Sequence, residues 1–210
     1  MPHFSIFKNY NIELEPTEEA IFRRFLELFV EYNSHTNLSA IRTPEAIIEK
    51  HFIDSLELGR FVELSGRVLD IGSGGGFPGI PLKILFPDAD FTLMDSVGKK
   101  VRAMNHFIEG LGVEGIRAVQ ARAEEVARLP EYKRKFDFII SRATAYLPQI
   151  LEWAEPFLAP EGQIILYKLA SPDEIADGEK MMRKLKLRLV GKEPYTIADQ
   201  ERVFLIFERI

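Results

Sequence analysis

From Arg67 onward, short apolar runs alternate with amphipathic stretches, and this rhythm leaves few architectures open. The runs are RVLDI, FTLMD, IRAVQ, FDFII, GQIILYK, LRLVG and RVFLIFERI, and between the first five lie helix-patterned segments such as GIPLKILF and KKVRAMNHFIEGL. Strands that alternate with helices are joined by crossovers. The expected fold is therefore α/β, a doubly wound, mixed seven-stranded sheet with helices on both faces. The last two runs are joined by KEPYTIADQE, which lacks a helical pattern, so an antiparallel hairpin at one edge is expected there.

The first 66 residues read differently. PTEEAIFRRFLELFVEYN has an acidic first turn and apolar Ile21, Phe22, Phe25, Leu28 and Phe29 at helical spacing. TPEAIIEKHFIDSLEL offers Thr43 as an N-cap and Pro44 at the first helical position, with Gly59 as a stop. The expected organisation is an N-terminal helical extension, 1–66, ahead of a ligand-binding domain, 67–210. Of the 210 residues 46% are hydrophobic and 16 are Phe, enough for a globular core, while no run approaches the ~20 apolar residues of a membrane span. The start MPHFSIFKNYNIELEP lacks the pattern of a secretion signal. With no cysteine, disulfides, thiolate metal sites and a cysteine nucleophile are excluded, and the cytoplasm is the expected compartment.

The stretch VLDIGSGGGFPGIPLKI, Val68 to Ile84, carries the chemistry. Glycines between a strand and a helix let the backbone approach a ligand where a Cβ would intrude. Gly74, Gly76 and Gly79 satisfy the spacing of a dinucleotide fingerprint, but Asp70 ends the strand where a pyrophosphate needs positive potential. Pro78 and Pro81 also remove N–H donors from the turn. A cationic ligand fits better. Asp70, Gly72, Gly74 and Gly76 form the acidic-x-Gly-x-Gly-x-Gly arrangement typical of S-adenosylmethionine sites, with the carboxylate facing an ammonium group. The next run ends in Asp95, suited to both ribose hydroxyls. After the third run, Ala123 and Glu124 stand near an adenine edge. The plainer alternative is a tight strand–helix connection with an aspartate that caps the next helix.

These residues resemble the glucose-inhibited division protein B family, the guanine-N7 methyltransferases of small-subunit ribosomal RNA, from about Glu31 to Lys168. The resemblance rests on NLSAIRTPEAIIEKHFIDSL, LDIGSGGGFPGIPL, MDSVGKKVRAMNHF and FDFIISRA. It implies a class I, Rossmann-like methyltransferase using S-adenosylmethionine, with cofactor contacts at Gly72, Phe77, Asp95, Ser96, Val97, Ala123, Glu124 and Arg142. Small-subunit ribosomal RNA or the ribosomal subunit is the implied partner, met by a monomer.

The chemistry is consistent with this without the family. Guanine N7 has an in-plane lone pair and no proton, so it attacks a sulfonium methyl without a general base, and no catalytic acid or base is assigned. The fourth run ends in Ser141-Arg142-Ala143, not in the Pro-Pro-aromatic loop expected for exocyclic adenine amines. Arg142 either reaches the methionine carboxylate or orients the guanine. The net charge of −5 means that RNA must be met by a local basic face, for which Arg42, Lys99, Lys100 and Lys168 are the candidates. Alternatives are methylation of another RNA site, a small molecule or a protein, an NAD-dependent oxidoreductase, and a non-catalytic adapter.

Overall fold

The computed structural model describes residues 2–169 and 171–210. All seven runs are strands of one sheet: β1 (Arg67–Ile71), β2 (Asp90–Asp95), β3 (Ile116–Gln120), β4 (Phe136–Arg142), β5 (Leu158–Leu169), β6 (Leu187–Ile197) and β7 (Gln200–Arg209). Their order is β3-β2-β1-β4-β5-β7-β6. The first five are parallel, and β7 inserts antiparallel between β5 and β6. Residues 68–71 of β1 are fully buried, as a strand covered on both faces requires. The chain runs outward from β1 through β2 to β3 and then crosses back to place β4 on the other side of β1, so a crevice opens where the order reverses.

The helices are α1 (Ile6–Asn9), α2 (Pro16–Thr36), α3 (Pro44–Ile47), α4 (Asp54–Leu56), α5 (Gly79–Leu85), α6 (Gly98–Leu111), α7 (Ala123–Val126), α8 (Leu147–Ala154) and α9 (Pro172–Leu185). A capping box starts α2, with the Glu15 side chain on the N3 amide and Glu18 reaching back to the Glu15 amide. Thr43 caps α3 by accepting from the Ala46 amide, as expected.

Alternation along β1 splits the core. Val68 joins the cluster that contains Phe22, Phe25, Phe29 and Phe52 of the N-terminal helices, while Leu69 and Ile71 face α8 and α9. Phe25 stacks on Phe52 at 5.1 Å and Phe77 at 5.4 Å, and packs edge-on to Phe107 at 5.5 Å. The helical lead and one face of the sheet thus share a core.

Two local features differ from the sequence reading. The helix expected from Pro44 to Gly59 is interrupted by a π turn, Ile48–Ile53, and ends in a 3₁₀ turn, Glu57–Arg60. The Lys50 carbonyl inside the π turn accepts from Arg142 Nη1 at 3.2 Å, so an outside donor meets backbone there. The hairpin connection is also mostly strand. β6 runs on to Ile197, with Pro194 opposite Val203, and an edge strand tolerates a residue that cannot donate. Ala198 and Asp199 make the turn with φ of +47° and +61°, a tight hairpin without the usual Asn-Gly signal.

Phe25→Ala should cost about 3–5 kcal/mol. Because the core is shared, urea unfolding followed by helical dichroism and by fluorescence of Trp153, which packs on the other face, should shift together. Two separate midpoints would show that the helical lead unfolds independently.

Candidate cofactor site and crevice

The crevice is built from the turns after β1, β2 and β4. Gly72 donates its amide to the Met94 carbonyl at 2.8 Å and has φ +76°. A Cβ there would lie 2.5 Å from Thr144 Oγ1, so this glycine is demanded by the loop after β4. Gly74 is the opposite case: at φ +58°, the nearest atom to a Cβ is the Gly72 carbonyl at 3.9 Å. Its backbone faces open space, the property a close-approach site needs.

Asp95, 5% exposed, is held by three donors: Val97 N on Oδ1 at 2.9 Å, and Gly74 N at 3.0 Å and Lys100 Nζ at 3.4 Å on Oδ2. It thereby ties the β1 and β2 turns together. A cavity of about 280 Å³ lies against it, and the expected Gly72, Asp95, Ser96, Val97, Ala123 and Glu124 all line its wall. Lys100, Arg122, Thr144 and Trp153 line it too. The single tryptophan of the chain carried no motif signal, and Thr144 is found only through its contact with Gly72.

Asp70, Gly74, Phe77 and Arg142 are not on that wall. Asp70 shares the face of β1 used by Val68, where it is completely buried under the start of α5 and its Oδ2 accepts from Gly79 N at 3.0 Å. Its Oδ1 has no partner, and burial raises the carboxyl to about 7. Phe77 is buried in the aromatic cluster and stacks on His51 at 4.5 Å. Arg142 is occupied: Nη1 donates to Asp54 Oδ2 at 2.6 Å, and Nη2 stands 3.3 Å from His51 Nδ1. Burial, reinforced by Arg142, lowers His51 to about 3, and its Nε2 lies 3.0 Å from Ser39 Oγ.

Of the four expected RNA-facing cations, Arg42 and Lys99 are exposed, Arg42 in contact with the Asn37 side chain. Lys100 is paired with Asp95 at the cavity, a contact the sequence did not suggest. Lys168, only 13% exposed, bonds Glu174 Oε1 and the Ala145 carbonyl, both at 2.6 Å.

The residues fit S-adenosylmethionine. A buried carboxylate oxygen without a partner lies under the start of α5, open backbone stands at Gly74, and a fixed acceptor stands at Asp95. Switch-point crevice, glycine turn and two strand-end aspartates together define an S-adenosylmethionine-dependent methyltransferase with the Rossmann-like fold. The fold is shared with the Bacillus subtilis m1A22 tRNA methyltransferase TrmK (TM-score 0.61, 15% identity, covering 75% of this chain and 65% of that one). It is shared too with the ribosomal protein L11 methylase of Lactobacillus delbrueckii subsp. bulgaricus (TM-score 0.58, 18% identity, 75% and 76%).

The family model for rRNA small subunit methyltransferase G matches residues 18–196. Proteins named ribosomal RNA small subunit methyltransferase G are 40% identical in Mesoplasma florum (99% of this chain, 88% of the relative) and 43% identical in Desulfitobacterium hafniense (87% and 74%). The chain belongs to the rRNA small subunit methyltransferase G family.

Asp95→Ala removes the acceptor that organises both turns, and should raise the dissociation constant for S-adenosylmethionine at least about tenfold, read by calorimetry. Unchanged affinity would show that Asp95 does not hold the cofactor. A second expectation concerns pH. The unfolded Asp70 carboxyl ionises near 3.8 and the folded one near 7. Between those values only the folded protein keeps the proton, so this group's stabilising contribution is full below 3.8 and declines as pH rises to 7. His51, lowered from 6.5 to about 3, has the opposite slope, giving stability that is lost as pH falls through that window. The difference in urea stability between Asp70→Asn and wild type should therefore grow in favour of the variant from pH 4 to 7. A constant difference would rule Asp70 out as the titrating group.

Proposed function

We propose that this protein transfers the methyl group of S-adenosylmethionine to N7 of a guanine in small-subunit ribosomal RNA, in the cytoplasm. The observation that carries the chemistry is the state of His51. It is neutral across the physiological range, and both ring nitrogens face polar partners, Ser39 and Arg142. An imidazole so engaged is poorly placed to accept a proton from substrate. Guanine N7 asks for no such acceptor, because its lone pair is already free.

When bound, S-adenosylmethionine supplies an electrophilic sulfonium methyl. The chain's own residues bind and orient. Asp95 offers fixed carboxylate oxygens to hydroxyl donors, held by Gly74, Val97 and Lys100. Asp70, under the start of α5, supplies buried negative charge above about pH 7, matched to an ammonium group in the crevice. Exposed Arg42, Lys99 and Arg122 are suited to phosphates, which position RNA without reading its bases. The relatives named ribosomal RNA small subunit methyltransferase G support ribosomal RNA as the substrate class.

Tritiated methyl transfer to small-subunit RNA from a strain lacking the modification, followed by nucleoside analysis, should yield 7-methylguanosine. Under saturating cofactor the single-turnover rate should be nearly flat from about pH 6 to 8, the range in which an unperturbed histidine base titrates. At limiting cofactor, affinity should rise through about pH 7 as Asp70 loses its proton. An acidic limb in the saturated rate that disappears in His51→Gln would restore a general base.

A further inference from the structure

The loop after β4, residues 143–147, is exposed at Ala143, Thr144 and Tyr146, yet residues 144–147 are each held by a hydrogen bond. Ala143 has φ +53°, a left-handed conformation that a residue with a Cβ adopts only when its surroundings impose it. Thr144 Oγ1 donates to the Ile71 carbonyl at 3.1 Å and accepts from Ser141 Oγ at 2.9 Å. The Ala145 carbonyl accepts from Lys168 Nζ at 2.6 Å. Tyr146 Oη donates to Asp177 Oδ2 at 2.6 Å, and the Leu147 amide donates to Glu174 Oε1 at 2.8 Å. Strand β5 and helix α9 thus supply a clamp whose three polar groups, Lys168, Glu174 and Asp177, converge on one short loop.

A solvated loop does not need this much restraint for stability, since water satisfies its backbone. Restraint of exposed side chains is what a site that positions a substrate requires. The loop forms one side of the switch-point crevice, and its Ala143 and Thr144 already line the cofactor cavity. Tyr146, two residues further on, is 49% exposed, the one exposed tyrosine among six. Methyl transfer to a ring nitrogen needs the base held flat at a fixed distance, and an aromatic face does this whatever the base's hydrogen-bonding edge, leaving N7 free.

We propose that Tyr146 is the platform on which the target guanine stacks, and that Lys168 and Glu174 are the positioning residues that hold its loop. The proposal rests on the RNA-methyltransferase reading above. It gives Lys168 an indirect part in RNA recognition, through the Ala145 carbonyl.

The test compares Tyr146→Ala, Tyr146→Phe and Tyr146→Trp in methylation of unmodified small-subunit RNA. Cofactor affinity is followed by Trp153 fluorescence and folding by urea midpoint. Tyr146→Ala should lower kcat/KM for RNA roughly 10- to 100-fold, the range for loss of one base–aromatic stack, with cofactor affinity and midpoint unchanged. Tyr146→Phe and Tyr146→Trp should stay within about threefold of wild type, since both keep a ring. Tyr146→Ala within twofold of wild type overturns the platform. So does Tyr146→Phe as impaired as Tyr146→Ala, which would make the bond to Asp177 the feature that matters. Cofactor affinity falling in step with the rate would overturn it too, by placing the ring in the cofactor site. A wild type that transfers no methyl to RNA overturns the functional reading with it, whereas active wild type with an equally active Tyr146→Ala overturns the platform alone.

Discussion

Asp54 is 1% exposed and lies between two arginines, and the placement of the crevice depends on it. Its Oδ2 is 2.6 Å from Arg142 and 3.4 Å from Arg202, and its Oδ1 accepts from Tyr195 at 2.9 Å. One carboxylate therefore binds the N-terminal helical segment to β4, β6 and β7, all at the end of the sheet where the crevice opens. Removing one partner of such a group leaves an uncompensated buried charge, a loss of about 3–5 kcal/mol. The π turn belongs to the same arrangement, because Arg142 takes the Lys50 carbonyl as well as the Asp54 carboxylate. Tyr167, which donates to the Ser55 carbonyl at 2.8 Å, adds a link from β5.

This node changes what the basic residues near the crevice do. A guanidinium or ammonium beside a buried carboxylate is held there by a Coulomb attraction that water no longer screens. Arg142 is thus committed to Asp54, and Lys168 to Glu174. Lys100, one-third exposed, is shared with Asp95. These cations shape the walls of the site. Arg42 and Lys99, by contrast, are open to solvent.

The glycine turn shows a similar division of labour. Gly72 is required by a neighbour that comes from β4, and only Gly74 faces open space. In the sequence the two glycines look alike, two positions apart in one motif. Asp70 and Asp95 likewise read as a pair of strand-end carboxylates. Pleating puts Asp70 beneath α5 with an oxygen unpartnered, while the β2 turn brings Asp95 to the cavity wall.

The strands, their crossovers, the edge hairpin and the turns that line the cavity were legible in the sequence. These follow from local periodicity, from glycine at strand ends and from a family pattern carried by contiguous motifs. The sequence did not reveal the length of β6, since Ala198 opens the turn at φ +47° without the glycine or asparagine usual at such a position. It left the π turn unseen, because the groups that stabilise it, Arg142 and Asp54, are 88 residues apart. Which charges are paired, and which exposed side chains are held rigid, is set across the fold. The physical reason is that pairing and restraint are set by distances across the fold, between residues whose spacing along the chain carries no trace of their contact.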